Sequence, residues 1–300
     1  CPVQPELSVR LVLAVKRLAA ELNWEIYDEQ RGDGWLRHAY IRTNSEGKAH
    51  LSLVTRSAAF PQRERFLDAL RAQFPELEGI FQNIQPIKTA VVLGPSWRKL
   101  WGAERLEERL GVLRMRVSPV SFLQINTPAC ELLYSVVERY LTDGGLRPRL
   151  ALDLYSGAGS IALWIARSCD RVLGMEENRA AVEDAWENAR LNGIRNARFQ
   201  AGAVEELISR IAVELDGCPP GSAAAVLDPP RGGCERPVVK ALRARALGRL
   251  VYVSCNPASF ARDADRLTKE HWRLTRVQPV DLFPQTSHVE LVALFERPSG

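Results

Sequence analysis

The chain has 300 residues, 46% of them hydrophobic and 25% charged, and its 40 Lys+Arg against 36 Asp+Glu leave a net charge of +4. That length exceeds one typical domain, and the apolar content is enough for a sizeable core, which excludes a disordered or fibrous chain. No apolar run reaches the roughly eighteen residues that a membrane-spanning helix needs.

Cys1-Pro2-Val3-Gln4-Pro5 carries neither Met nor a signal-peptide pattern, and reads as the cut edge of a longer chain. Leu7, Leu11, Val15, Leu18 and Leu22 recur at helical spacing and predict an amphipathic helix over 7–22. Strand-like runs follow at Trp24–Tyr27, Trp35–Arg42 and Leu51–Thr55, separated by the turn signals Gly32-Asp33-Gly34 and Ser45-Glu46-Gly47. A helix over 63–74 and a strand near 80–84 complete a small α+β unit, and residues 88–118 read as strands and loops leading onward. From Arg149 the pattern becomes strand, helix, strand, helix. Strands are expected at 150–155, 171–176, 197–200, 223–227 and 250–254, with helices at 161–167, 179–192, 204–215, 236–246 and 258–271 between them. Short apolar strands alternating with helices imply a parallel sheet covered on both faces. Two last runs, near 273–277 and 289–295, have no long helix between them and fit an antiparallel edge. The expected division is a smaller α+β domain over 1–118 and the alternating α/β domain over 119–300.

Four motifs in the second part carry chemistry. Asp153-Leu154-Tyr155-Ser156-Gly157-Ala158-Gly159 ends a strand and opens a helix, and Gly157 and Gly159 let backbone approach a bound nucleotide without a Cβ in the way. Glu176 ends the next strand about twenty residues on, where a carboxylate accepts from ribose hydroxyls. This arrangement serves NAD and S-adenosylmethionine alike. In Leu227-Asp228-Pro229-Pro230-Arg231 the prolines break the strand and present a carboxylate and a guanidinium at the cleft. Cys255, in Ser254-Cys255-Asn256-Pro257, follows a strand and precedes a helix, a position expected to lower its thiol pKa. Glu290 begins an apolar strand, where burial is expected to raise its pKa toward that of a useful base. His288 beside it reads as a hydrogen-bonding scaffold residue.

Carbon 5 of a pyrimidine is a poor nucleophile. Addition of a thiolate to carbon 6 makes an enolate whose carbon 5 attacks a methyl sulfonium, and a base must then remove the carbon-5 proton so that the thiol can leave. One Cys and one acid/base group on opposite sides of the ring meet that demand, and Cys255 with Glu290 supply them.

The charge distribution is compatible with an RNA partner. Up to Ser118 there are 18 Lys+Arg against 14 Asp+Glu and beyond it 22 against 22, so the basic excess lies in the first part. The six cysteines show no paired spacing and no CxxC, which fits a reducing, cytoplasmic setting.

Taken together, DLYSGAG, NARLNGI (Asn188–Ile194), LDPPRGG, VYVSCNPASFARD and DLFPQTSHVE closely resemble the RNA (uracil-5-)-methyltransferase family, and Ser121–Asn126 resembles its FxQxN segment. The resemblance is strong over 121–300 and more diffuse before. It implies an α/β fold with a Rossmann-like seven-stranded methyltransferase sheet beside the smaller N-terminal domain. It further implies Cys255 as nucleophile, Glu290 as base, and Gln124, Tyr155, Ser160, Glu176 and Asp228, with Gly157 and Gly159, around S-adenosylmethionine. Ser160 stands where members often have Asn, and Ser156 where Cys is common. Many members add an N-terminal RNA-binding barrel, and some hold a four-iron cluster. The barrel reads as absent here, and Cys1 as the last ligand of the cluster pattern, so no metal is expected on this chain alone. The expectation is a monomeric enzyme, not bound to membranes, that forms 5-methyluridine in structured RNA, ribosomal or transfer. The alternatives are an NAD-dependent oxidoreductase and a catalytically silent RNA-binding fragment of a methyltransferase.

Overall fold

The computed structural model describes residues 4–208 and 211–297, so Cys1 lies outside the described residues. The chain divides into two compact units. One runs up to Glu108 and takes in Val117–Pro119; the other holds Arg109–Arg116 and continues from Val120.

In the first unit, α1 (Glu6–Glu21) and α2 (Arg63–Gln73) pack on one face of a four-stranded sheet, β1 (Leu36–Thr43), β2 (Ala49–Thr55), β3 (Leu77–Ile84) and β4 (Ser96–Gly102), in that spatial order. Only β2 and β3 are parallel, because α2 carries the chain across between them. Leu11, Leu18, Phe66 and Leu70 from the helices meet Leu51, Leu53 and Ile80 from the sheet. The run Trp24–Tyr27 forms only isolated bridges, Ile26 to Leu36 and Asp28 to Asp33, instead of the expected strand. Trp24 is instead taken into an aromatic cluster with Trp35, Phe60 and Phe66, at centroid separations of 4.7, 5.5 and 4.9 Å.

A hairpin, β5 (Leu106–Leu110) and β6 (Leu113–Val117), straddles the division. Its outer half belongs to the second unit because side chains there hold its backbone. Glu131 accepts from Gly111 N at 2.7 Å, Asn192 bonds both N and O of Arg114 at 2.9 and 2.7 Å, and Asn188 accepts from Arg116 N at 2.6 Å. Asn188 and Asn192 are the asparagines of the NARLNGI motif, so that motif has a structural duty.

The second unit continues with α3 (Thr127–Thr142), β7 (Leu150–Leu154), α4 (Ser160–Ile165), β8 (Val172–Glu176), α5 (Arg179–Leu191), β9 (Ala197–Ala201), α6 (Val204–Leu207) and α7 (Ile211–Glu214). It ends with β10 (Ala223–Leu227), α8 (Arg236–Ala241), β11 (Leu247–Ser254), α9 (Pro257–Lys269), β12 (Arg273–Val280) and β13 (Glu290–Glu296). The strands form one seven-stranded sheet in the order β12-β13-β11-β10-β7-β8-β9. Strands β11, β10, β7, β8 and β9 are parallel, and β13 inserts antiparallel between β11 and β12. Alternate residues feed two cores: Ala151, Val251 and Val253 on the side of α3–α5, and Leu150, Leu152, Leu250 and Tyr252 on the side of α8 and α9.

Helix α3 was not among the expected elements. Asn126 caps its N-terminus by accepting from Ala129 N, Pro128 sits in its first turn, and Cys130, Leu133, Tyr134, Val137, Tyr140 and Leu141 form its buried stripe. The single helix expected over 204–215 is represented by α6 and α7, and the helix expected over 236–246 ends at Ala241.

Candidate active site

The sheet order reverses between β10 and β7, and the crevice outside the carboxyl ends of such strands is where open α/β sheets bind ligands. Four candidate residues sit at those ends: Tyr155 after β7, Glu176 at the end of β8, Asp228 after β10, and Cys255 after β11. Glu290 arrives from the other direction. Ser254 pairs with Leu291 in the antiparallel ladder of β11 and β13, so the register carried one residue further sets Cys255 opposite Glu290. Directly opposed residues of such a pair lie about 4.5–5.5 Å apart at Cα.

The loop carrying Cys255 is fixed from both sides. Asn256 caps α9 by accepting from Ala258 N at 3.1 Å, and its Nδ2 donates to the carbonyl of Arg231 at 3.1 Å. Ser254 Oγ accepts from Asn256 N at 3.1 Å. Farther along α9, the buried Asp263 accepts from Tyr252 Oη at 2.8 Å and Cys234 N at 2.7 Å. The Cys255 loop and the DPPR loop are thereby tied into one frame.

The electrostatics are dominated by acids. Burial, then the neighbouring Glu290, push Asp228 up to about 7. Burial raises Glu290 as expected, and Arg231 offsets part of that shift. Cys255 reverses the sequence expectation: its thiol is raised, not lowered, first by burial and then by Glu290 and Asp228, with Arg231 only partly opposing. The end of α9 does not outweigh two carboxylates and desolvation.

The cofactor loop also differs in detail from expectation. Glu176 spends its oxygens on backbone, accepting from Gly157 N at 2.9 Å and Asn178 N at 2.8 Å. A carboxylate oxygen has further lone pairs, so it remains competent to accept from a ribose hydroxyl. Gly157 and Gly159 both have left-handed backbone, φ +53° and +82°. A Cβ on Gly157 meets only Phe122 O, at 3.9 Å, whereas one on Gly159 strikes Phe199 ring atoms at 2.9 Å and Ala185 Cβ at 3.0 Å. Space for a ligand therefore lies over Gly157, and Gly159 serves packing. Ser160 Oγ shares a 2.8 Å hydrogen bond with the buried Tyr134 hydroxyl, and Tyr155, itself at φ +67°, donates to Glu205 at 2.7 Å. Half-buried Gln124 has no hydrogen-bond partner among the described residues. His288 is exposed and stacks edge-on against Phe283.

Asp153 was quoted in the glycine motif but not singled out. It is fully buried, with one oxygen accepting from Ala162 N at 2.8 Å and the other without a partner. Its pKa is raised by burial, then by Asp228 and Glu176. An acid inside an apolar strand, ahead of a glycine loop, was the available signal.

Asp153, Glu176, Asp228 and Glu290 thus make an acidic crevice. Such a crevice suits a cationic sulfonium, whose charge would favour the ionised carboxylates, and Gly157 N–H, which a pyrophosphate would need, is taken by Glu176. The orphaned Asp153 oxygen and the open space over Gly157 fit an adenosyl sulfonium cofactor.

Fold and crevice define a Rossmann-like methyltransferase. The tRNA (uracil-5-)-methyltransferase family model matches residues 103–298, and the chain belongs to that family. An uncharacterized RNA methyltransferase of Caldanaerobacter subterraneus is 36% identical over 300 residues, covering 99% of this chain and 65% of the relative. One from Gloeobacter violaceus is 38% identical over 298 residues, covering 99% and 63%. The chain thus spans just under two thirds of the length of these curated relatives. Among solved structures, the Pyrococcus abyssi tRNA (uracil-54, C5)-methyltransferase in complex with S-adenosyl-L-homocysteine superposes with a TM-score of 0.73 at 27% identity, over 95% of this chain and 66% of that one. The family assignment leaves the nicotinamide alternative without support. Among the described residues, no helix is long and apolar enough to cross a membrane.

Proposed function

We propose that this chain catalyses S-adenosylmethionine-dependent methylation of uridine carbon 5 in a structured RNA, transfer or ribosomal, giving 5-methyluridine. The observation that carries the reading is the pairing of Ser254 with Leu291, which brings Cys255 and Glu290 together at the carboxyl edge of the sheet, close enough that the charge of Glu290 acts on the thiol. S-adenosylmethionine supplies the methyl group. Glu176, Asp153, Asp228 and Gln124, around the open space over Gly157, would hold it.

Cys255 gives its thiol proton to solvent and adds as the thiolate to carbon 6 of a uridine withdrawn from its stack, which makes carbon 5 nucleophilic. After methyl transfer, Glu290 takes the proton from carbon 5, and the thiolate is expelled as the ring regains its double bond. A carboxylate raised by burial accepts that proton more readily than a solvated one. Arg231, whose charge reaches both Cys255 and Glu290, steadies the anionic forms of each.

The test separates catalysis from a silent RNA-binding fragment. Cys255→Ala is expected to abolish both methyl transfer and covalent capture of 5-fluorouridine RNA. Glu290→Gln is expected to attack and methylate but fail to release, so an RNA–protein adduct that survives denaturing electrophoresis accumulates. Methylation by Cys255→Ala, or turnover at the normal rate by Glu290→Gln, would overturn the mechanism.

A further inference from the structure

A second cavity, of about 440 Å³, is bounded by the turn of the β5–β6 hairpin, the end of α4 and the loop between α5 and β9, and includes Gly111, Leu113, Trp164, Ile194, Arg195 and Asn196 in its lining. Helices α4 and α5 start at the carboxyl ends of β7 and β8 and run back toward the amino ends of the strands that follow. Their last turns therefore lie at the opposite edge of the sheet from Cys255, Asp228 and Glu290. A five-residue strand spans roughly 17 Å at about 3.3 Å per residue, so the cavity is separate from the catalytic crevice.

Trp164 forms an aromatic wall of the cavity. Trp164 is fixed by donating from Nε1 to Glu138 at 3.1 Å and by edge-on contact with Tyr134 at 5.8 Å. The hairpin turn lies directly against its ring: a Cβ on Gly111 would meet two ring carbons at 2.9 and 3.0 Å. Buried Leu113 and half-buried Ile194 line the apolar interior. Two polar groups remain unspent. Asn196 uses its Nδ2 on the carbonyls of Ala166 and Cys169, at 2.8 and 3.1 Å, which leaves its amide oxygen free to accept. Exposed Arg195 has no ion-pair partner among the described residues, whereas Arg167 is neutralised by Glu138 at 2.8 Å. An aromatic wall, an apolar interior, one free acceptor and one free guanidinium at the rim match an unstacked base with its phosphate. The volume lies within the range of about 300–1,000 Å³ typical of small-ligand sites.

We infer that this cavity takes a nucleotide of the substrate RNA, distant from the one methylated, with its base against Trp164 and its phosphate on Arg195. The inference rests on the RNA reading above and adds a second anchoring point to it. Transfer RNA and ribosomal RNA transcribed with 4-thiouridine, irradiated with the full-length protein, are expected to leave a cross-linked nucleotide on the peptide holding Trp164 or on that holding Ile194 and Arg195. Arg195→Glu and Val112→Asp, two changes at exposed positions on the rim, are expected to raise KM for RNA at least fivefold. The kcat and the affinity for S-adenosylhomocysteine should stay unchanged in both. Cross-links confined to other peptides, or an unchanged KM in both variants, overturn the cavity assignment and leave uridine methylation standing. Cross-linking at Trp164 by a protein that methylates no uridine sinks the catalytic reading instead. If a free mononucleotide protects these peptides and RNA does not, the occupant is a small molecule and the inference is wrong.

Discussion

Cys255 shows how tertiary neighbours decide a side chain's chemistry. The sequence places its thiol before a helix start, which by itself lowers a thiol pKa, but Glu290 comes from a strand 35 residues later and Asp228 from a loop 27 residues earlier. With burial, they raise the thiol above its ordinary value. Glu290→Gln removes one like charge, so Cys255 should alkylate faster with iodoacetamide at pH 8, read by peptide mass spectrometry against half-buried Cys218. An unchanged rate would mean that burial alone sets the thiol. Asp228 gives a second prediction. Its carboxyl is raised from 3.8 to about 7, so between those values the folded state holds a proton that the unfolded state has lost. The stability tied to that proton is fully present below the unfolded value and is lost as pH rises through about 7. Asp228→Asn should therefore stabilise the fold by up to a few kcal/mol at pH 8, and by almost nothing near pH 4, at the expense of activity. Thermal melts across that range check it, and a variant less stable at pH 8 would show that the ionised carboxylate is satisfied.

At the level of elements, β10 and β11 were legible as apolar runs ended by a polar residue, Ala223–Leu227 before Asp228 and Leu250–Val253 before Ser254, whereas β9, Ala197–Ala201, shows an alternation of buried and exposed side chains. Helix α3 carries a regular apolar stripe of Cys130, Leu133, Tyr134, Val137 and Leu141, set between the Ser121–Asn126 segment and the first parallel strand. Trp24–Tyr27 departs from its expected strand. Its aromatic and β-branched residues favour a strand, and packing of Trp24 against Trp35 and Phe66 overrode that preference. The glycine loop was legible as a motif but not as a division of labour, since only the fold shows that Phe199 and Ala185 crowd Gly159 while Gly157 faces open space. Two substitutions test that division. Gly159→Ala should cost about 1–3 kcal/mol through overpacking, with cofactor affinity falling only as the fold is lost. Gly157→Ala should cost about 1 kcal/mol of stability, the ordinary penalty of left-handed backbone, while weakening S-adenosylhomocysteine binding at least tenfold, because its Cβ enters the space left for the ligand. Calorimetry and melting curves on both variants separate the two roles; equal affinity in Gly157→Ala and wild type would place the cofactor elsewhere.

For the molecule as a whole, the charge pattern and the two sites make different demands on RNA. The crevice sets four carboxyl groups against Arg231, so it is not built as a phosphate site, and the basic excess lies in the part of the chain before residue 119. On the proposed RNA reading, attraction would come from arginines outside the crevice, with the target nucleotide entering only after it has left its stack. The net charge of +4 sets a modest scale for that attraction. Each phosphate neutralised contributes about −0.9 for duplex or −0.7 for single strand to the slope of log K against log salt. A chain with so small an excess should neutralise only a few phosphates, giving weak binding and a slope of magnitude roughly 2–4 rather than the value near 10 of strongly basic binders. Titrations of this 300-residue chain with transfer and ribosomal RNA at several salt concentrations measure the slope directly. A shallow slope with tight binding would mean that base stacking and hydrogen bonds hold the RNA, whereas a slope near 10 would mean that the basic side chains of the first unit act together on one continuous stretch of backbone.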